Sequence, residues 1–312
     1  MIRLPSMLMI CALALVLAGC AAAPLRDVPA LDRYQGTVTT QDGWTLALFR
    51  VPPAQGTEGL PGHGVPVLMP HGTSVNRFNY MTAGSDLAGY LSSRGYDVWV
   101  PEHRGDRSSR DPGDGALKRG DWSIDDIAQQ DLPAVLDRVL QETGRTQVWW
   151  VGHSLGGILG YMTAQGDRSA QVAGLVTIGS PGAYVHPSEW VQRTSRQASL
   201  LPKSGQVPTR GAARALLPSL DMAPDGRLLH VVFNADNADL PTLVRFVDQG
   251  MENIGRGMTE QYLGWLRQGA ITSLDGSRDY SAGLSTVTQP ALVIAGRVDH
   301  IVPAWTARWG FD

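Results

Sequence analysis

The residues of this chain best placed to do chemistry are Gly152-His153-Ser154-Leu155-Gly156, a G-x-S-x-G run. A serine hydroxyl is a weak nucleophile until it is exposed and activated. The apolar run Val148-Trp149-Trp150-Val151 precedes Ser154 and Leu155-Gly156-Gly157-Ile158-Leu159 follows it. Ser154 is therefore expected on a sharp, strained turn from strand to helix, with flanking glycines where no Cβ would fit. The chemistry that suits this position is attack of the hydroxyl oxygen on an acyl carbon, with the resulting oxyanion lying near a helix N-terminus.

Such an oxyanion needs two backbone N–H groups. Leu155 supplies one. His71-Gly72-Thr73, after the apolar run Val65 to Met69, is placed to supply the other, with Thr73 as the expected donor. Asp299 lies in Gly296-Arg297-Val298-Asp299-His300, directly past the run Ala291 to Ala295. A carboxylate there suits the orientation of an imidazole and the stabilisation of its cation. Ser154 before Asp299 is also the chain order this constellation takes on a strand-helix sheet. His71 is expected to pack within its loop, and His153 to pack or hydrogen-bond within the elbow.

The elements that must hold these groups alternate between strand and helix. Gln35 to Thr40, Gln41-Asp42-Gly43 and Trp44 to Val51 read as a hairpin. Apolar strands follow at Val65 to Met69, Tyr96 to Val100, Gln147 to Val151, Val172 to Ile178 and Ala291 to Ala295, the last expected to be buried. Helices are expected at Asp86 to Arg94, from a capping-box-like Ser123/Asp126 to Thr143 before Gly144, and from Leu155. Pro133 should bend or break the second of these. Continuous apolar strands suit a mostly parallel sheet covered on both faces. Between Pro181 and Pro290 helical segments near Trp190 to Ala198, Leu240 to Asn253 and Glu260 to Gln268 replace the strands, which suggests an inserted helical cap. Its apolar residues, among them Phe246, Met258 and Trp265, are expected mostly to pack the cap onto the core.

Gly95-Tyr96-Asp97-Val98-Trp99, Arg104-Gly105, Trp122-Ser123, Asp131-Leu132-Pro133-Ala134 and Trp150 to Gly157 resemble the α/β-hydrolase superfamily, acid-lipase-like and related bacterial esterases or lipases among it. The likeness runs from about Tyr34 onward and is weakest in the cap. It implies the α/β-hydrolase fold and hydrolysis of carboxylic esters by a Ser-His-Asp triad, with no cofactor and no metal. Ser154 would be the nucleophile, Asp299 the acid, and Thr73 with Leu155 the oxyanion hole. Small-molecule esters or lipids would be the substrates.

The departure from that pattern is the histidine. The family carries its base in a loop beyond the acid, and no histidine follows His300. His300, His186 and His103 are not expected to reach both Ser154 and a carboxylate. The expectation is a C-terminally truncated chain with an exposed sheet edge. A second reading follows, a catalytically inactive lipoprotein that binds an acyl ligand or a partner protein.

The 312 residues, 43% of them hydrophobic, suffice for one core, and a formal charge of -3 argues against a nucleic-acid partner. Arg3, the apolar run Met7 to Leu17 and Leu17-Ala18-Gly19-Cys20 resemble a bacterial lipobox, with Cys20 as the lipidated residue. Cys11 would leave with the signal, so thiol chemistry is excluded. The expected organisation is a signal over residues 1–19, a tether over 20–33, a hydrolase core over 34–182 and 286–312, and the cap over 183–285. A lipid anchor would hold the domain at the bacterial envelope, on the periplasmic side of the outer membrane in a Gram-negative cell. Asp106, Arg107, Arg110, Asp111 and Asp114 are expected to form a solvated loop.

Overall fold

A computed structural model describes residues 35–196, 205–220, 237 and 239–310. The signal, the tether and Cys20 lie outside the described residues. Nine strands are present among those described: β1 (Gln35–Thr39), β2 (Thr45–Val51), β3 (Pro66–Leu68), β4 (Asp97–Pro101), β5 (Val148–His153), β6 (Val172–Ile178), β7 (Gln206–Val207), β8 (Ile254–Gly255) and β9 (Ala291–Ile294). Seven form one sheet in the order β1-β2-β4-β3-β5-β6-β9. β2 runs antiparallel to β1 and β4, and every other pairing is parallel.

The unbroken apolar runs have a simple cause, because the sheet is covered on both faces. Leu46, Leu48, Leu68, Trp99 and Trp150 pack on one face with the helices Leu132–Thr143 and Leu155–Ala164. Their strand neighbours Ala47, Phe49, Val67, Val98, Val100 and Val151 pack on the other with Tyr80, Met81 and Ala88. All ten residues of Leu155–Ala164 are buried, as an apolar helix against a parallel sheet requires.

Several local signals act as the residues predict. Asp86 caps the helix Leu87–Ser93 through the Gly89 N–H, Ser123 and Asp126 form a reciprocal capping box, and Gly144 closes Leu132–Thr143 in the left-handed conformation. Pro133 falls in the first turn of that helix, where its missing N–H has no intrahelical partner to lose. The disruption sits just upstream, as a π-helical turn over Ile127–Asp131.

Two expectations need correction. Among the described residues β9 is the edge strand of the sheet, with β6 as its one neighbour, so the buried reading of Ala291 to Ala295 gives way to the exposed edge that was also expected; Leu292 is 56% and Ile294 42% exposed. The segment between β6 and β9 also carries the helix Thr209–Leu220 and the short antiparallel pair β7–β8, alongside the helices Glu189–Arg196, Leu240–Arg245 and Arg256–Gln268.

Candidate active site

β5 delivers Ser154 into a turn with φ 52° and ψ -115°, a region that β-carbon-bearing residues rarely occupy. The surroundings hold it there. Ser154 N–H donates to the Ile178 carbonyl of β6 at 2.8 Å, and the Ser154 carbonyl accepts from Gly157 and Ile158 N–H at 3.0 and 3.2 Å. The elbow's glycines are required by contact. A Cβ on Gly156 would stand 1.9 Å from the Pro70 carbonyl oxygen, and one on Gly152 would stand 2.2 Å from the Gly156 carbonyl carbon.

Leu155 is the first residue of Leu155–Ala164, so its N–H belongs to the free donors of a helix start. The His71-Gly72-Thr73 loop lies directly opposite. A Cβ on Gly72 would meet His153 Nδ1 at 3.0 Å and the Ser154 Cβ at 3.3 Å. Asn79 joins the two segments: its Oδ1 accepts the Gly72 N–H at 3.2 Å and lies 3.1 Å from His153 Nδ1. Gly72 N–H can only donate, so that atom is the amide oxygen and His153 carries its proton on Nδ1. Tyr80 ties the same segments from beneath, its hydroxyl donating to the Pro70 carbonyl at 2.8 Å and accepting His153 N–H at 2.7 Å. The Thr73 hydroxyl bonds to the hydroxyl of Tyr262, on the helix Arg256–Gln268.

Asp299 follows β9, and its Oδ1 accepts the N–H groups of Ile301 and Val302, both at 2.8 Å. Its Oδ2 faces the elbow. A Cβ built on Gly179, just past β6, would meet Asp299 Oδ2 at 3.6 Å and His153 Nε2 at 3.8 Å. Burial lowers the His153 pKa, the Asp299 carboxylate pulls it back up, and the field of His71 adds to the lowering. Ser154 is thus set against Gly72, the residue before Thr73, and directly before Leu155 at the helix start, with Asp299 approaching from the His153 side.

The remaining histidines take other places. His186 and His300 are exposed, while His103 is buried with its ring 4.1 Å from that of His71. Among the described residues no imidazole is hydrogen-bonded to the Ser154 hydroxyl. Asp106 departs from the expected solvated loop. It is 7% exposed, accepts the His103 N–H at 2.7 Å and stands 3.0 Å from His71 Nε2, although Arg107, Arg110 and Asp114 are exposed as expected. The roles of Asn79, Tyr80 and Tyr262 were not legible beforehand, since a lone polar residue in a loop carries no local pattern.

Residues 65–312 match the profile described as the alpha/beta hydrolase fold. The chain belongs to the alpha/beta hydrolase fold family. Solved structures of this family agree on architecture: an esterase from Thermogutta terrifontis aligns with TM-score 0.53 at 18% identity, over 89% of this chain and 85% of its own. An esterase from Rhodococcus sp. ECU1013 gives 0.53 at 17% identity, over 88% and 85%. Among curated relatives, human lysosomal acid lipase/cholesteryl ester hydrolase is 34% identical over 130 residues, 40% of this chain and 33% of the relative. Human gastric triacylglycerol lipase is 32% identical over 130 residues, again 40% and 33%. The match spans about a third of the length of these relatives.

Proposed function

We propose that this alpha/beta hydrolase cleaves carboxylic esters through an acyl-enzyme on Ser154. The observation that carries the reading is Ser154 at φ 52° on the turn into Leu155–Ala164, facing the Gly72–Thr73 loop. In the reaction Ser154 Oγ attacks the carbonyl carbon, and the Leu155 and Thr73 N–H groups receive the oxyanion. The serine proton has to be taken up by a base, which the described residues do not supply as an imidazole hydrogen-bonded to Ser154, and returned to the departing alcohol, after which water releases the acid. The names of the curated relatives, a cholesteryl ester hydrolase and a triacylglycerol lipase, support a small-molecule ester or lipid as the substrate class.

A fluorophosphonate probe and a p-nitrophenyl ester test this together. The wild-type chain is expected to be labelled and Ser154→Ala to remain unlabelled; equal labelling of both removes Ser154 from the role. A second reading, an inactive protein that binds an acyl ligand or a partner protein, is favoured by the lack of an imidazole hydrogen-bonded to Ser154 among the described residues. Ester turnover that disappears in Ser154→Ala would exclude it.

We also infer that lipid on Cys20 anchors the domain at the bacterial cell envelope, on the strength of the apolar run and the small residues before that cysteine. Globomycin, which blocks lipoprotein signal peptidase, should then cause a larger precursor to accumulate. Unchanged mobility would refute the anchor.

A further inference from the structure

Behind the His71-Gly72-Thr73 loop lies a buried cluster that ester cleavage does not use. His71 ends the approach from β3, and Glu102 and Asp106 follow β4. Each offers one ligand-type atom, and the three atoms lie within 4.8 Å of one another. His71 and Glu102 are each 1% exposed.

The orientation of the His71 ring is fixed from outside the cluster. Its Nδ1 lies 3.0 Å from the Gly72 carbonyl oxygen, which can only accept, so Nδ1 carries a proton and the lone pair of the neutral ring is on Nε2. That is the outer hydrogen bond that commonly orients a metal-ligating histidine. Nε2 stands 3.0 Å from Asp106 Oδ2, an ion pair when the ring is protonated. Two atoms in the cluster are buried without a hydrogen-bond partner, Glu102 Oε2 and His103 Nδ1. A buried polar atom left unpaired is costly. A proton can serve one lone pair and one acceptor, whereas a metal ion can take lone pairs from several atoms at once.

The charge balance points the same way. Arg77 pairs with Glu102 Oε1 at 3.0 Å and Arg107 with Glu252 at 2.8 Å, while Asp106 pairs with His71 itself.

We propose that His71, Glu102 and Asp106 bind one divalent metal ion of the zinc class, independently of Ser154 chemistry. One imidazole nitrogen and two carboxylate oxygens suit zinc and its borderline neighbours. Calcium instead takes six to eight oxygen ligands. Binding displaces the proton from Nε2 when His71 is protonated, so that nitrogen exchanges one proton for one metal bond. Because Gly72 and Thr73 follow His71 directly, the ion would fix the loop opposite Ser154.

The test is calorimetric titration of chelator-stripped, full-length protein with Zn²⁺. One ion per chain is expected, with affinity at least about 10-fold weaker in His71→Gln and in Glu102→Gln, the scale on which perturbed metal sites lose affinity. His186→Ala, at an exposed histidine, should bind as the wild type does. Absence of wild-type binding overturns the proposal, as does binding lost in His186→Ala but kept in His71→Gln. Circular dichroism checks that the variants fold. Should they not, Co²⁺ loaded into the wild type provides the second measurement: a ligand-field spectrum of mixed nitrogen and oxygen coordination supports the site, and a hexa-aqua spectrum overturns it.

Discussion

The two ends of the candidate site are built differently. At the serine end, Ser154 stands between a central strand and a wholly buried helix, and contacts from Pro70, from Ile178 and from Asn79-Tyr80 converge on the elbow from three segments. At the aspartate end, Asp299 follows an edge strand and is held by the N–H groups of its own turn, Ile301 and Val302. Exposed Val298, Trp305 and Trp309 surround it in sequence. A strained φ can persist where many neighbours enforce it, while a carboxylate needs little more than two donors to be aimed. Mutational sensitivity should therefore be steep at the elbow and shallow at the aspartate.

The largest expected difference is between two glycines. Gly156→Ala drives a Cβ into backbone, the Pro70 carbonyl at 1.9 Å, and should cost about 3 kcal/mol or more in urea unfolding. In Gly296→Ala the new Cβ meets the Asp299 Cβ at 3.3 Å at an exposed position, so the loss should stay within about 1 kcal/mol. Equal losses would erase the contrast. Tyr80→Phe comes next. It leaves the His153 N–H without its acceptor beneath the elbow and should cost about 2 kcal/mol, read by the same unfolding curve. An unchanged midpoint would mean that another acceptor replaces the phenol oxygen.

This contrast also explains what could be read in the sequence. The elbow was legible because its requirements are local: Gly152, Gly156 and Gly157 are spaced by the strand-to-helix turn itself. The Ser123/Asp126 capping box and Gly144 were legible for the same reason. Contacts between distant segments were not. Asp106 looked like one more charge in a polar loop until folding set it against His71, and Tyr262 reaches Thr73 from a helix near the other end of the chain. For β9 composition and context disagreed: Ala291–Ile294 is as apolar as a buried strand, while the lack of a recognisable strand after it pointed to an exposed edge, and the strand order agrees with the edge.

A smaller effect sharpens the meaning of the strained serine. Glycine accepts φ 52° without a Cβ penalty, so Ser154→Gly should raise stability by about 1 kcal/mol, the relief exceeding glycine's entropic cost. Ser154→Ala keeps the Cβ and should show no such gain. A loss in the glycine variant would mean that the hydroxyl, and not the backbone packing, secures the turn.

The smallest effect measures how far the two ends feel each other. Burial holds the His153 pKa below its ordinary 6.5, and the Asp299 carboxylate opposes that lowering. Asp299→Asn removes the charge while keeping an acceptor for the Ile301 and Val302 N–H groups, so the His153 pKa should fall further, as followed by NMR of the ring. The stability consequence has a definite sign. A buried ring that resists protonation contributes stability that is present above pH 6.5 and lost as pH falls toward the folded pKa. In Asp299→Asn that loss should continue to lower pH than in the wild type. An unchanged titration of His153 would show that Asp299 Oδ2, although it faces the elbow, is electrostatically insulated from it.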